Sequence, residues 1–238
     1  MKKSLFVTVL LTIACGMLWI SFLAATHRSP VLDAGEMVLV AGGVWVDPAE
    51  SDRQIVVKPF LIDKYEVTNA QFARFRPDHE FPKQQEDFPV TGITWEEAAA
   101  FARWAGKQLP TEAEWQLAAG AADGRRYPWG KEKRLPDLKN AKACQKVGSY
   151  RENYSSAGCY DMEGNVWEWT ADNYPNQTLV VAASVAPSSQ KILKGGWREQ
   201  KKSVAPATIN ERMILDAQQS YPFVGFRCMR RLQPGQNR

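Results

Sequence analysis

A nine-residue stretch from Asp161 to Trp169 restricts the fold more than any other part of the chain. It reads Asp-Met-Glu-Gly-Asn-Val-Trp-Glu-Trp and sets two carboxylates, Asp161 and Glu168, seven residues apart in a turn rich in Gly and Trp. Ca²⁺ takes oxygen ligands, and a short irregular segment supplies them when its carbonyls turn inward between flanking carboxylates. The pattern predicts a calcium loop with Asp161 and Glu168 as charged ligands. The carbonyl oxygens of Gly164 and Val166 complete the set, because Gly164 relieves the tight bend. The alternative is a turn with solvated acids and core tryptophans.

Six motifs occur along the chain in a fixed order. They are Met-Val-Leu-Val-Ala-Gly-Gly (37–43), Ile-Asp-Lys-Tyr-Glu-Val-Thr-Asn (62–69), Leu-Pro-Thr-Glu-Ala-Glu-Trp (109–115), Tyr-Pro-Trp-Gly (127–130), Tyr-Asp-Met-Glu-Gly-Asn-Val-Trp-Glu-Trp-Thr-Ala-Asp (160–172) and Gly-Phe-Arg-Cys (225–228). Together they resemble the formylglycine-generating enzyme, or sulfatase-modifying factor, family over residues 37–230. The resemblance implies an α+β protein with the complex fold of that family. This fold is a variant of the C-type-lectin-like fold, with little regular secondary structure, and one structural Ca²⁺ is expected in it.

The N-terminus predicts a membrane-directing segment. Residues 4–25 carry no charge and are almost wholly apolar, and Lys2 and Lys3 precede them. Such a length is enough to cross roughly 30 Å of hydrocarbon, which favours an uncleaved anchor in the inner membrane. Cleavage near Ala24 and lipid attachment at Cys15 are the alternatives. Because positive residues stay inside, each option exports the remaining chain to the periplasm. The predicted organisation is an anchor (1–25), a tether (26–36), one domain (37–232) and a flexible tail (233–238).

Export to an oxidising compartment makes the cysteines informative. Cys144 and Cys159 are fifteen residues apart and flank the segment before the proposed calcium loop, so they form a candidate disulfide. Two unpaired thiols are the alternative. In the family that the chain resembles, a cysteine at the position of Cys228 can pair with one at the position of Ala102. That partner is missing here, which predicts that Cys228 is a buried free thiol.

Local signals predict three helices and several short strands. Thr94 with Glu97 and Thr111 with Glu114 have the spacing of capping boxes, so both glutamates are predicted to be structural caps and not catalytic acids. Thr68 is predicted to cap an earlier helix. Strands are predicted around Val38–Val46, as two strands about Gly42-Gly43, and at Ile55–Ile62, Lys191–Trp197 and Phe223–Met229.

The stretch that would carry oxidative chemistry lacks its thiols. In the family that the chain resembles, two cysteines after a Gly-Gly pair bind copper, and soft thiolates suit Cu(I). Gln200 and Ala205 stand at those positions, and no cysteine occurs between Cys159 and Cys228. No copper and no formylglycine-generating activity are therefore expected. Iron-dependent relatives use a histidine cluster, whereas this chain has only His27 and His79.

A basic segment occupies the place of the thiol loop. Trp197, Arg198, Lys201 and Lys202, with Lys191 and Lys194 before them, lie within a dozen residues. Trp and Arg are common anchors in protein interfaces, so the first four are predicted to bind an acidic protein segment, and a solvated face is the alternative. The net charge of +4 is mild and spread along the chain, which argues against a nucleic-acid partner.

These features favour a non-catalytic periplasmic module that binds an envelope protein. The arrangement resembles the TagR-type accessory proteins of type VI secretion, and this resemblance implies a partner in the exported domain of a membrane Ser/Thr kinase. The competing hypothesis is an oxidase-type enzyme acting on a small peptide through a cysteine-free pocket, as implied by relatives in siderophore maturation. A carbohydrate-binding surface is a third hypothesis.

Overall fold

The computed structural model describes residues 35–48, 53–130, 144–174, 189–200, 203–206 and 208–232, and for 197–200 and 203–206 it describes the backbone. The predicted anchor and the tail from residue 233 lie outside these ranges, as does most of the predicted tether. No helix in the described ranges is both long enough and apolar enough to cross a bilayer.

Each of the three α-helices in the described chain begins with a threonine in a capping box. The threonine side chain accepts a hydrogen bond from the amide of the third helical residue, whose side chain accepts one from the threonine amide. This arrangement satisfies two amides that the helix leaves unpaired, so Glu97 and Glu114 are structural caps, as predicted. The helices are α1 (Asn69–Phe75), α2 (Trp95–Trp104) and α3 (Glu112–Ala119).

Ten strands in the described ranges form three small sheets. β4 lies between β1 and β10 in an antiparallel sheet, and β2 pairs with β3 in a separate ribbon. The largest sheet has the order β7-β6-β5-β9, with β8 also paired to β6, and its β5–β9 pairing is parallel. Short helices with small sheets confirm the α+β class. The strands are β1 (Met37–Val40), β2 (Gly43–Val46), β3 (Gln54–Val57), β4 (Phe60–Asp63), β5 (Gly164–Asn173), β6 (Gln190–Gln200), β7 (Ser203–Pro206), β8 (Met213–Asp216), β9 (Val224–Gly225) and β10 (Met229–Arg231).

Two of the predicted strands are each divided in the structure. The predicted strand Ile55–Ile62 becomes β3 and β4, which lie in different sheets on either side of Pro59, a residue with no amide to donate to a ladder. The predicted strand Phe223–Met229 becomes β9 and β10. Between them, the carbonyl of Phe226 accepts from the amide of Val67, so this stretch bonds to the start of α1 instead of continuing a ladder.

The segment that predicts an irregular calcium loop is a turn that leads directly into strand β5. Asp161 and Asn165 have φ values of 56° and 52°, in the left-handed region that residues other than Gly seldom adopt. From Gly164 to Thr170 every residue is buried. A strand buried on both faces lacks the polar–apolar alternation that identifies a strand in sequence, and this is why the sequence predicts a loop here.

Two apolar clusters, which both include buried tryptophans, form the core of the described residues. The first packs Trp167 and Trp169 of β5 against α1, α2 and the Phe226 region, and the second packs α3 against β4 through Trp115. Each fully buried aromatic side chain contributes roughly 1.5–3 kcal/mol or more through removal of apolar surface from water. β5 therefore packs against apolar side chains along its length. This packing fixes where its polar side chains lie.

Two lysines that the sequence assigns to a basic surface are buried. Lys191 is 8% exposed and its ammonium lies 3.7 Å from the centroid of the Trp95 ring. Lys194 is fully buried, donates to the carbonyl of Glu211 at 2.7 Å, and lies 3.3 Å from a carboxylate oxygen of Glu112. Both belong to β6, which has β5 on one side and β7 and β8 on the other. The basic surface therefore begins, at the earliest, after Lys194.

A buried ion pair connects the end of β4 to the segment that follows α2. Asp63 ends β4, and Lys107 follows α2; their side chains are 6% and 4% exposed and hydrogen-bonded to each other. Burial raises the pKa of Asp63 from 3.8 to about 6, even with Lys107 beside it. Because the folded-state pKa is raised, the stabilising contribution of Asp63 is complete below about pH 4 and is lost as the pH rises through about 6.

Replacing Lys107 by methionine is expected to destabilise the chain more at pH 8 than at pH 5. At pH 8 the buried carboxylate loses its counter-ion, which costs about 3 kcal/mol, whereas at pH 5 it can bind a proton instead. Urea unfolding at the two pH values measures the difference. Lys146→Met is the matched control, since its pair with Asp87 is exposed and worth less than about 1 kcal/mol. An equal loss at both pH values would contradict this assignment.

Candidate functional site

An arginine in the Gly-Phe-Arg-Cys motif is the centre of the buried polar site. Arg227 and Glu168 are fully buried and bind each other through two hydrogen bonds of 2.7 Å. The guanidinium also donates to the carbonyl oxygens of Asp63, Lys64 and Tyr160, at 3.2, 3.3 and 2.9 Å. A buried charge needs such complete hydrogen bonding. The pair therefore connects β5 to the end of β4 and to the turn before β5.

Glu168 is held on a third side by helix α3. The indole nitrogen of Trp115 donates to Oε2 of Glu168 at 2.9 Å, so the carboxylate accepts three hydrogen bonds in all. A carboxylate has about four acceptor positions, and one remains on Oε1. The sequence predicts Glu168 as a charged calcium ligand. The structure shows that its main contacts are with Arg227 and Trp115.

Two further carboxyl groups lie next to this pair. Asp161 Oδ2 accepts from the amide of Gly148 at 2.5 Å, and Glu66 Oε1 accepts from the side chain of Asn165 at 3.0 Å. The other oxygen of each carboxyl group is buried and receives no hydrogen bond from any group other than the neighbouring carboxyl, because Asp161 and Glu66 are hydrogen-bonded to each other when one of them is protonated. Burial, together with the charge of Asp161, raises the pKa of Glu66 well above 4.5, and burial raises the pKa of Asp161 to about 6.

The remaining predicted ligands are two backbone carbonyls, those of Gly164 and Val166, on the part of β5 that faces β6. Gly164 has a φ of 91° and pairs with Gly196 across the β5–β6 ladder. The carbonyl oxygen of Val166 lies 3.6 Å from the position that a Cβ of Gly195 would take. The structure therefore brings all four predicted residues into one buried turn-and-strand segment, with Glu66 added from a distant part of the chain.

The donor chemistry of this site fits a hard divalent cation. Glu66, Asp161 and Glu168 share one guanidinium, so the group carries a formal charge of −2 when the three carboxyls are ionised. Oxygen ligands from these carboxyl groups match the preference of Ca²⁺. In the described ranges no three His, Cys, Asp or Glu side chains form a metal-binding group. An ion here would therefore depend on Asp161, Glu66 and backbone carbonyls.

The sequence reasoning missed Glu66 and Arg227 as members of this site. Both residues stand in motifs that carry the family resemblance, Tyr-Glu-Val-Thr-Asn and Gly-Phe-Arg-Cys. A charged residue between two apolar ones is the signal that could have found them. Val67 and Phe226, their apolar neighbours, are themselves buried, so the charged residue has little chance of reaching solvent.

The cysteines do not form the disulfide that their spacing suggests. Cys144, Cys159 and Cys228 are all free thiols. Cys159 is fully buried near Arg227, and its amide donates to the side chain of Ser155. Cys144 instead lies beside Glu66 and Asp161. Cys144 and Cys159 therefore lie in different surroundings and are not bonded to each other. The prediction that Cys228 is a buried free thiol is confirmed.

A second buried ionisable group surrounds Lys194. Glu112, at the start of α3, contacts both Lys194 and Arg212, and Arg212 also binds Asp47. Arg212 therefore has a structural role as an ion-pair partner of two carboxylates. Burial lowers the pKa of Lys194 to about 8 and raises that of Glu163 to about 9. Both oxygens of Glu163 lack a hydrogen-bond partner, so a neutral carboxyl is favoured there.

The segment that replaces the thiol loop is a β-hairpin. β6 and β7 pair with Arg198 opposite Ala205 and with Gln200 opposite Ser203. The two positions without thiols, Gln200 and Ala205, therefore lie on the two arms of this hairpin. Lys201 and Lys202 connect the arms and lie outside the described residues, and of Trp197 and Arg198 the structure describes the backbone.

Comparison with known proteins gives the same family for most of the chain. Residues 23–232 match the model of the sulfatase-modifying factor enzyme 1-like domain (FGE-sulfatase). The serine/threonine-protein kinase pkn1 of Chlamydia pneumoniae is 31% identical over 83% of this chain and 38% of that protein. The formylglycine-generating enzyme of Streptomyces coelicolor is 36% identical over 51% of this chain and 42% of the enzyme. This chain thus spans about two fifths of either relative.

Another relative is named as lacking activity. The inactive C-alpha-formylglycine-generating enzyme 2 of Bos taurus is 26% identical over 74% of this chain and 78% of that protein. Among solved structures, PvdO from Pseudomonas aeruginosa has a TM-score of 0.65 at 21% identity, covering 85% of this chain and 97% of PvdO. CarF has a TM-score of 0.63 at 21% identity, covering 83% of this chain and 98% of CarF. These structures confirm the predicted fold, and the chain belongs to the FGE-sulfatase family of sulfatase-modifying factor enzyme 1-like domains.

Proposed function

We propose that this chain is a non-catalytic member of its family that binds protein partners. The observation that carries the proposal is the β6–β7 hairpin, which has Gln200 and Ala205 at the positions expected for two thiols. Neither side chain is a soft ligand, and Cu(I) selects thiolates. Of the ionisable side chains described near the hairpin, Lys194 and Glu112 are buried in an ion pair, and burial favours a neutral carboxyl at Glu163. This arrangement supports recognition as the function and gives no support to oxidation.

In the finer form of the proposal, the domain acts in the periplasm. Its N-terminal apolar segment holds it on the inner membrane, as an uncleaved anchor. Its partner is the exported domain of a membrane Ser/Thr kinase, and the pair regulates type VI secretion. The similarity to pkn1, a protein named as a serine/threonine kinase, supports a kinase-related partner, because it shows that a domain of this type can occur in such a protein.

The basic segment of Trp197, Arg198, Lys201 and Lys202 is the proposed docking surface. β7 is the outer strand of the largest sheet on the side of this hairpin. An outer strand leaves backbone amides and carbonyls available for another chain, and positive side chains beside it would select an acidic segment. The interaction is therefore expected to weaken as the salt concentration rises.

Reversing the charge of the basic segment is expected to weaken binding to the purified exported kinase domain at least about tenfold, which corresponds to 1.4 kcal/mol. The variant is Arg198→Glu with Lys201→Glu and Lys202→Glu, and surface plasmon resonance measures its affinity. Lys58→Glu with Lys83→Glu and Arg151→Glu is the matched control, because these three residues are exposed elsewhere. Equal weakening in both triple variants would point to net charge alone. If the unmodified chain does not bind the kinase domain, the kinase partnership is wrong.

A further inference from the structure

A cavity of about 320 Å³ lies beside α1 and the segment that follows it. Two phenylalanines and two prolines form the apolar part of its wall, and the polar part comes from Asn69, His79, Glu80, Gln85 and Thr91. Ligand pockets span roughly 300–1,000 Å³, so this one has room for a single large side chain. Phe81, Phe88 and Cys144 line the cavity together with the residues named above.

The hydrogen bonds around His79 define its tautomer. The side-chain amide of Asn69 donates to the carbonyl of Gln85 at 2.8 Å, so the remaining oxygen of Asn69 faces Nε2 of His79 at 3.3 Å. That oxygen can only accept, and Nε2 must therefore carry the hydrogen. Burial lowers the pKa of His79, which favours the neutral ring. Nδ1 of a neutral imidazole with a protonated Nε2 is a hydrogen-bond acceptor.

Aromatic packing holds the ring of His79 in the cavity wall. His79 lies edge-on to Phe72, with ring centroids 4.9 Å apart, and its centroid is 5.8 Å from that of Phe81. Cys144 also lines the cavity, and a cysteine side chain packs as a small apolar group. The cavity therefore combines the apolar surfaces of Phe81 and Phe88 with several polar side chains, His79 among them.

The segment that carries most of the cavity wall is acidic. Residues 78–87 contain Asp78, Glu80, Glu86 and Asp87 against one lysine, Lys83. The only ion pair described for these acids joins Asp87 to Lys146 at 3.7 Å. Glu80 itself lines the cavity. A ligand that continues out of the cavity would therefore meet a surface with negative charge.

We propose that this cavity binds an aromatic side chain that carries a hydrogen-bond donor, a tyrosine or a tryptophan, from a peptide with lysine or arginine beside it. The phenol or indole ring contacts Phe81 and Phe88, and its O–H or N–H donates to Nδ1 of His79. The flanking cations face Glu80 and its acidic neighbours. This site is separate from the basic segment and takes a ligand of opposite charge, so neither site depends on the other.

Titration calorimetry with short peptides tests the site on the detergent-solubilised full chain. Acetyl-Lys-Tyr-Lys-amide is expected to bind in the millimolar range or tighter. The Phe analogue should bind about fivefold more weakly because it lacks one hydrogen bond. Acetyl-Glu-Tyr-Glu-amide should bind at least tenfold more weakly. If Lys-Tyr-Lys shows no binding, or if the Glu-flanked peptide binds equally well and Thr91→Tyr abolishes that binding, the proposal is wrong.

Two variants separate the cavity from nonspecific binding. His79→Phe keeps an aromatic ring and removes the acceptor, so the preference for Tyr over Phe should disappear. Thr91→Tyr fills the cavity and should abolish binding even if His79→Phe folds poorly. Val56→Tyr is the matched control, because Val56 is 77% exposed and belongs to the separate β2–β3 ribbon. Undiminished binding by Thr91→Tyr would overturn the proposed location.

Discussion

Replacing Arg227 by methionine is expected to lower the free energy of unfolding by about 5 kcal/mol, at the upper end for a broken buried ion pair. Arg227 and Glu168 are both fully buried, and methionine would leave the carboxylate without its two strongest donors. Glu66 and Asp161 would also lose the one positive charge in their group. Three carbonyl oxygens that Arg227 binds would be left buried without it. Urea unfolding followed by far-UV circular dichroism measures the loss.

Two comparisons identify the source of this loss. Arg227→Lys keeps the charge but cannot bind a carboxylate bidentately, so it should lie between the wild type and Arg227→Met. Arg103→Met removes an exposed partner of Glu96, and pairs of that kind contribute about 0–1 kcal/mol. If Arg227→Met lost no more than Arg103→Met, the buried pair would not be the structural centre of the site.

The helices could be predicted because their signals are local. Thr94 with Glu97, and Thr111 with Glu114, are three residues apart, and the capping hydrogen bonds join those same residues. Such a contact depends on little beyond the adjacent backbone. Gly120 is also a local signal, because it ends α3 with a φ of 101°, a conformation that Gly adopts most readily. The sequence therefore predicts the ends of the helices, although it gives little information about the sheets.

The buried polar group could not be predicted in the same way. Glu168 and Arg227 are 59 residues apart, and Asn165 and Glu66 are 99 apart. A charged residue is normally exposed, and the apolar neighbours of Glu66 and Arg227 do not identify the residues that these two would contact. The positions of Glu168 and Arg227 are defined only in the folded chain, where β5 is buried on both faces and the residues after β9 lie beside it. The pattern of residues 161–169 predicted candidate calcium ligands, but it did not predict Glu66 and Arg227, which lie beside them.

Removing Ca²⁺ is expected to lower the melting temperature of the chain by about 5–10 °C. A ligand at 100 times its Kd stabilises the folded state by about 2.7 kcal/mol, and for a domain of this size each kcal/mol shifts the Tm by about 2–4 °C. The proposed ion would bind the buried carboxyl oxygens of Asp161 and Glu66 with carbonyls from Gly164 and Val166. The charge of +2 on Ca²⁺ would balance the formal charge of −2 on the three carboxylates and Arg227. Scanning calorimetry in 1 mM Ca²⁺ and in EGTA measures the shift.

Variants and metal analysis define what would count against this ion. Asp161→Asn removes one of the charges that attract the cation, so its melting temperature should depend little on Ca²⁺. Asp87→Asn, at an exposed side chain, should keep the full shift and serves as the matched control. Elemental analysis of the purified chain should find about one calcium per chain, because the donors form one site. Copper or iron at one per chain would instead favour the oxidase-type enzyme. The proposed calcium site is wrong if the Tm is the same in Ca²⁺ and in EGTA and the purified chain contains no calcium. Bound protons alone would then neutralise the carboxyl groups of Glu66 and Asp161.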